Sequence, residues 1–333
     1  MEELPVIDIS SAVAGAPSTR LVREIDDACR STGFFYIVGH GVPQQLLERL
    51  DALAREFFAL ADEEKVRIAM VHGGRAWQGW FPLDGELTSG RPDRKEGLYF
   101  GQELPVTDPR VAAGVPLHGP NLFPTRPAEL KGAVLDHIAA VTAVGHSLLR
   151  AFALALGLDA DWFDRTLTAD PLVLFRIFHY PPLQAGDERW SVGQHTDYGL
   201  LTILAQDRSG GLEVRGPGGW TAAPPVEGSF VVNLGDMLER MTAGRYRSTP
   251  HRVRNASGID RLSFPLFFDP AWDAEVRPVP GVEPTTPAPD DTAPRWDGRS
   301  PHDWSGTYGE YLLSKVGRVF PELRDDVLPE PAP

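Results

Sequence analysis

The sequence predicts a β-rich body, a sandwich or barrel, with helices packed against it from both ends of the chain. Three observations carry this. From about Leu172 to Phe268, short aliphatic and aromatic runs are separated by Gly, Pro and Asp turn signals. On either side, apolar residues recur at helical spacing. The 333 residues include 33 Gly and 31 Pro, which favours many turns over a helical bundle.

Taken in order, Pro5–Ile9 reads as a short strand. Leu21, Ile25 and Ala28 mark a helix from Thr19 to about Thr32, which Gly33 stops. Phe34–Val38 is a buried strand closed by Gly39-His40-Gly41. A helix opening at Pro43 puts Leu46, Leu47, Leu50, Leu53 and Phe57 on one stripe. Val71 to Phe123 has no sustained period and reads as long loops with short strands such as Gly97–Phe100. Pro127 to about Gly157 is the clearest helix, with Leu130, Val134, Ile138, Val141, Leu148 and Phe152 in phase. The β-type segments follow, at Val173–Tyr180, Leu200–Ala205, Leu212–Val214, Phe230–Asn233, His251–Arg254 and Leu262–Phe268. Residues 271–303 read as a Pro/Asp-rich surface excursion, Ser305–Val319 as an amphipathic helix, and the tail as fraying. The divisions are 1–125, 126–170, 171–270 and 271–333. A length prior of roughly 150 residues per domain suggests two domains, but this order of elements fits one integrated domain better.

Composition narrows the function classes. With 42% hydrophobic and 23% charged residues the chain is expected to fold rather than stay disordered. It has 32 basic and 46 acidic residues, net −14, a poor balance for nucleic-acid binding. Lone Cys29 excludes a disulfide framework and a Cys-rich zinc or iron–sulfur site. The opening Met-Glu-Glu-Leu-Pro does not read as a signal peptide, and no apolar run approaches the ~18–20 residues of a membrane helix. The expectation is a soluble cytoplasmic protein with no nucleic acid and no membrane as partner, its chemistry still open. The acidity is uneven: residues 1–170 carry −8 and 271–333 carry −6, while 171–270 hold ten arginines and ten acids.

Two histidines stand out by context. His195-Thr196-Asp197 precedes the apolar run Leu200–Leu204, and His251 opens His-Arg-Val-Arg. In a strand, i and i+2 share a side, so His195 and Asp197 can share a target. His251 from a distant strand completes two imidazoles and one carboxylate, the facial donor set of non-haem Fe(II). The other reading is a surface His-x-Asp turn and a hydrogen-bonded core histidine. Arg261-Leu262-Ser263 follows on an apolar strand, where a guanidinium is costly unless it meets an anion. A bidentate carboxylate is its natural partner, and Ser263 can donate to the same oxygens. An internal salt bridge to Asp236 or Asp260 is the alternative.

These residues resemble the iron- and 2-oxoglutarate-dependent oxygenases of the isopenicillin N synthase-like superfamily, over nearly the whole chain. The resemblance rests on Pro5-Val6-Ile7-Asp8 and Gly33–Pro43 near the start. In the body it rests on His195-Thr196-Asp197, Gly210–Val214, Asn233-Leu234-Gly235-Asp236, His251-Arg252-Val253 and Arg261-Leu262-Ser263. It implies a double-stranded β-helix, or jelly roll, packed by N- and C-terminal helices. It implies Fe(II) on His195, Asp197 and His251. It also implies 2-oxoglutarate held by Arg261, Ser263 and Tyr180 with Leu204 against its chain, and O₂ as oxidant. The implied reaction hydroxylates, desaturates or cyclises a small metabolite and releases succinate and CO₂.

One position departs from the family pattern: Phe178 stands where the family often has Asn, two residues before the tyrosine. Alternation puts Arg176, Phe178 and Tyr180 on one face, and Phe267 on the face of Arg261 and Ser263. Arg176 is thereby a candidate cation for an acidic substrate, or else the partner of a local acid; Phe178 and Phe267 are candidate apolar walls. Trp77, Trp80 and Phe81 add aromatic candidates. The charge-dense segment 84–97 reads as a solvated surface loop, with a lid over the iron as the alternative. His40 and His118 read as structural, and His72, His137, His146 and His302 carry no signal. Two rival functions remain: an iron oxidase of the same fold that works without 2-oxoglutarate, and a non-catalytic jelly roll that binds a small molecule or protein.

Overall fold

The structure, a computed structural model, describes residues 3–183, 189–216, 218–283, 295 and 297–321. Twelve strands follow one another as β1 (Val6–Asp8), β2 (Phe34–Val38), β3 (Gly79–Phe81), β4 (Glu96–Gly101), β5 (Leu172–Tyr180) and β6 (Val192–His195), then β7 (Leu201–Gln206), β8 (Leu212–Gly216), β9 (Gly219–Ala222), β10 (Phe230–Leu234), β11 (His251–Val253) and β12 (Arg261–Asp269). They form an eight-stranded sheet in the order β1-β2-β10-β7-β12-β5-β4-β3 and a four-stranded sheet in the order β6-β11-β8-β9. A cavity of about 140 Å³, lined from both sheets, separates them. The expected jelly roll is therefore present, its larger sheet extended at each edge by N-terminal strands.

The centre of the larger sheet is buried on both faces. β5 is buried along almost its whole length, because its outer face meets the long helix Leu130–Ala155 while its inner face lines the cavity. That helix fits its site closely: a Cβ added at Gly145 would stand 2.6 Å from the Phe268 ring. The helix is also long and apolar enough to cross a membrane, against the sequence expectation; half of that stretch is buried inside the protein, against β5, β7, β12 and the helices Thr19–Ser31 and Gln44–Phe58.

The C-terminal helix Tyr308–Val319 starts on a capping box, in which Thr307 Oγ1 accepts from Glu310 N–H and Glu310 Oε2 accepts from Thr307 N–H at 2.9 Å. Its Tyr308, Leu312, Val316 and Val319 form part of the cavity wall. The described parts of 271–303 are less superficial than expected. Val276 and Val279 are buried, and Asp297 is enclosed in an ion pair with Lys315 at 2.7 Å. Residues 284–294 and 296 of the excursion, and the tail from 322, lie outside the described residues.

The segment 84–97 corrects the sequence reading. Four of its seven charges are not solvated: Glu86, Asp93, Lys95 and Glu96 are buried and paired with one another or with neighbouring elements, while Arg91 is exposed. The segment is a wall of the cavity, continuous with β4.

Candidate active site

His195 ends β6 and His251 opens β11, and they are register partners in the smaller sheet with ring centroids 4.2 Å apart. Asp197 lies beyond the end of β6, so strand alternation does not aim it; the turn that follows does. Its backbone carbonyl accepts from Asp236 N–H at 2.8 Å. Its Oδ2 accepts from Asn233 Nδ2 at 2.6 Å and from the Thr202 hydroxyl. That leaves Oδ1 free, 3.8 Å from Nε2 of each histidine. Ligand atoms of the three side chains lie within 4.8 Å of one another.

Protonation favours metal binding. His195 Nδ1 faces the Gly193 carbonyl at 2.8 Å and His251 Nδ1 the Thr249 carbonyl at 3.3 Å. A carbonyl only accepts, so each Nδ1 carries the proton and each Nε2 keeps its lone pair. Burial lowers the pKa of both imidazoles and keeps them neutral. Burial opposes charge on Asp197 too, but attraction to His251 and His195 whenever they take up a proton, and hydrogen bonds from Thr202 and Asn233, hold the carboxyl below its ordinary range. Neutral imidazole and ionised carboxylate are the forms that ligate a divalent metal.

Arg261 opens β12 and is 1% exposed. Its Nε donates to Gly210 O at 2.6 Å, and its guanidinium carbon lies 4.6 Å from the Tyr180 ring centroid. Its Nη1 is buried with no hydrogen-bond partner among the described residues. The alternative partners are engaged elsewhere: Asp236 accepts from Ser248 and Tyr311, and Asp260 pairs with His179. The Tyr180 and Ser263 hydroxyls stand 3.2 Å apart beside it, and Leu204 lines the same cavity from β7. An orphaned guanidinium nitrogen beside two hydroxyls fits a carboxylate.

Arg176, Phe178 and Phe267 all line the cavity. Arg176 lies flat on Tyr99, its guanidinium carbon 3.5 Å from the ring centroid, and donates to Phe100 O at 3.0 Å and Phe175 O at 3.1 Å. No carboxylate among the described residues comes within salt-bridge distance, so the local-acid alternative is not realised there; burial, the dominant influence, lowers its pKa while Tyr99 and Glu86 oppose it. Of the aromatic candidates, Trp77, Trp80 and Phe81 are buried in the core beyond the cavity lining. His40 stacks on Phe230 and contacts Gly228 O, and His118 contacts Pro116 O, as structural histidines do.

Sequence reasoning missed the polar wall made by Glu86, Thr88, Lys95 and Tyr99, with Asp93 paired to Lys95, and the role of Thr202 and Asn233 behind Asp197. The signal for the wall was weak: Glu96–Gly101 alternates too little for period 2 to show which side chains turn inward.

Residues 4–126 match the family described as "non-haem dioxygenase in morphine synthesis N-terminal", and residues 171–270 match the 2OG-Fe(II) oxygenase superfamily. The chain belongs to the iron- and 2-oxoglutarate-dependent oxygenases of the isopenicillin N synthase-like superfamily. It is 47% identical to a Dictyostelium discoideum protein named "Probable iron/ascorbate oxidoreductase", over 98% of each chain. It is 36% identical to a 1-aminocyclopropane-1-carboxylate oxidase of Dictyostelium mucoroides, over 97% of this chain and 96% of that one. It is 33% identical to a homoarginine-6-hydroxylase of Arabidopsis thaliana, over 96% and 98%. Among solved structures, a full-length Neurospora crassa protein in complex with alpha-KG and thymine superposes with a TM-score of 0.76 at 25% identity, covering 94% of this chain and 96% of that one. The protein is an Fe(II)/2-oxoglutarate-dependent dioxygenase of a small metabolite, an oxidoreductase.

Proposed function

We propose that His195, Asp197 and His251 hold the iron, that Arg261, Ser263, Tyr180 and Leu204 hold 2-oxoglutarate, and that Arg176, Phe178 and Phe267 receive a small substrate bearing a carboxylate. The observation that carries the cosubstrate assignment is the buried, partnerless Nη1 of Arg261 at one end of the cavity that holds the triad. Iron bound there supplies the O₂ chemistry that couples decarboxylation of 2-oxoglutarate to oxidation of the substrate, releasing succinate and CO₂. The chain's own part is orientation and exclusion of water. Arg261 and the two hydroxyls fix the far carboxylate, the two sheets close off solvent, and Asn233 and Thr202 keep Asp197 turned with Oδ1 inward.

The substrate class rests on Arg176. A buried guanidinium that donates to backbone carbonyls, has no carboxylate partner among the described residues, stacks on an aromatic ring and lines the cavity suits a carboxylate. Two relatives are named for substrates that carry one, 1-aminocyclopropane-1-carboxylate and homoarginine. Apolar Phe178 and Phe267 suit a hydrocarbon portion of the substrate. The proposal includes a cytoplasmic monomer that binds neither nucleic acid nor membrane, supported by the charge of −14 and a single buried thiol.

The test screens small carboxylic acids against their methyl esters for thermal stabilisation of the protein loaded with Co(II) and 2-oxoglutarate, then assays the hits for succinate release with Fe(II). Acids that stabilise where esters do not, with turnover that requires 2-oxoglutarate, support the reading. Turnover without 2-oxoglutarate would transfer Arg261 from cosubstrate to substrate, and esters binding as well as acids would remove Arg176 from carboxylate recognition.

A further inference from the structure

The buried charges of segment 84–97 have no role in the assignments above, yet they occupy the cavity wall next to an iron ligand. Lys95 is 2% exposed and so is Asp93. The ammonium reaches Glu86 at 2.9 Å, Asp93 Oδ2 at 3.0 Å and Thr88 Oγ1 at 3.2 Å, and lies 4.5 Å from the Phe178 ring centroid. Burial opposes its charge, but Asp93 and Glu86 outweigh this and keep it protonated. A buried ion cluster of this kind adds little stability over an apolar packing of the same volume, so its retention calls for a reason other than stability.

Asp93 supplies one. Its Oδ2 takes Lys95, the Thr88 hydroxyl and Thr88 N–H, the last at 3.2 Å. Its Oδ1 instead accepts from Gly193 N–H at 3.2 Å, on β6. The carbonyl of the same Gly193 accepts the Nδ1 proton of His195 at 2.8 Å. The loop lies so close over β6 that a Cβ at Gly193 would land on the Ser89 side chain. We propose that Asp93 is a positioning residue for the metal ligand His195, acting through the Gly193 backbone, and that Lys95, 3.0 Å from Asp93 Oδ2, is the counter-charge that holds the Asp93 side chain in place. The inference rests on the reading of His195 as an iron ligand. Asp93 holds the N–H of the residue whose carbonyl orients His195, and outer contacts that orient a ligating histidine tune metal affinity.

Asp93→Asn is the nearly isosteric test. Three donors converge on Oδ2, so the amide oxygen goes there and its NH₂ is turned against Gly193 N–H. Cobalt(II) is titrated into the full-length protein and read by its d–d absorption. The expected result is a dissociation constant about tenfold higher than wild type, with a shifted d–d band. Lys65→Met is the control: it removes a different buried ion pair, with Glu96 at 2.9 Å, that does not touch β6, and its cobalt affinity and spectrum are expected to match wild type. If Asp93→Asn does not fold, Thr88→Val, which removes one donor from Oδ2, takes its place with an expected threefold loss. Equal cobalt binding in wild type and the Asp93 or Thr88 variant, or equal loss in the Lys65 control, overturns the inference. A wild-type protein that takes up no cobalt overturns the metal reading itself.

Discussion

Arg261 and Tyr180 are direct register partners across β12 and β5, and the ring lies under the guanidinium at 4.6 Å. This pairing orients a buried cation without neutralising it. The tyrosine face holds the guanidinium and its hydroxyl reaches Ser263, while Nη1 stays without a partner among the described residues. Arg261→Met keeps most of the volume and removes the charge. Loss of a charge-assisted contact of about 2 kcal/mol corresponds to roughly thirtyfold in the KM for 2-oxoglutarate, read from succinate release. Tyr180→Phe, which keeps the ring, should raise that KM far less. A KM unchanged by Arg261→Met would count against the cosubstrate assignment.

Asn233 and Thr202 hold one oxygen of Asp197 and leave the other for a metal. Asn233→Leu removes a hydrogen bond to the carboxylate and frees it to rotate. Iron affinity, measured by competition with a colorimetric chelator, should fall by roughly ten- to a hundredfold, while the thermal midpoint without metal changes little. A variant with wild-type iron affinity would show that Asp197 is oriented by its backbone turn alone.

Acid sensitivity of the fold has an identifiable contributor in His137. It is fully buried in the long helix against Phe175, neither ring nitrogen has a hydrogen-bond partner among the described residues, and burial lowers its pKa to about 3. Unfolded, it titrates near its ordinary 6.5. Between those values the unfolded chain binds a proton that the native protein does not, so stability is present above about pH 6.5 and is lost as the pH falls toward 3. At pH 5 the difference is about 2 kcal/mol. His137→Leu should therefore widen its advantage in thermal midpoint over wild type by several degrees between pH 7.5 and pH 5. Parallel midpoints across that range would remove His137 from the acid response.

Gly145 sets two known effects against each other. In a helix interior, Gly→Ala gains about 1 kcal/mol in propensity. Here the new methyl would sit 2.6 Å from the Phe268 ring, inside the contact between the long helix and β12. Overpacking at such a site costs roughly 1–3 kcal/mol, so the strain is expected to win. Gly145→Ala should lower the denaturation midpoint in urea, and a rise would mean the helix can shift away from the sheet.

How much was legible in advance depended on whether a residue's role is local. Helices came out within a few residues, because apolar spacing and caps are written in neighbouring positions: Thr19–Ser31 and Gln44–Phe58 lie where Leu21–Ala28 and Leu46–Phe57 set the phase. Motif residues such as His195, His251 and Arg261 were recognisable by type and order, and the structure gathers them around one cavity. The segment 84–97 was misjudged, since a run of charges reads as solvated whenever the partners that bury it are unseen. Glu86 meets Lys95 nine residues on, but also Tyr99 on β4, and Asp93 meets Gly193 a hundred residues away.

By itself, then, the sequence determined the element types, a β-rich sandwich or barrel body and the set of side chains able to bind a metal and a carboxylate, while the jelly roll was implied by the family resemblance. The first three follow from local periodicity and from the chemistry of single residues. Only the tertiary structure decided which oxygen of Asp197 is free, that Arg261 and Arg176 lack carboxylate partners among the described residues, and that Lys95 lines the cavity while Asp93 meets Gly193 two residues from His195. Each of these is a statement about what fills the space around a polar atom. That space is bounded by strands far apart in the chain, so no window of sequence contains it.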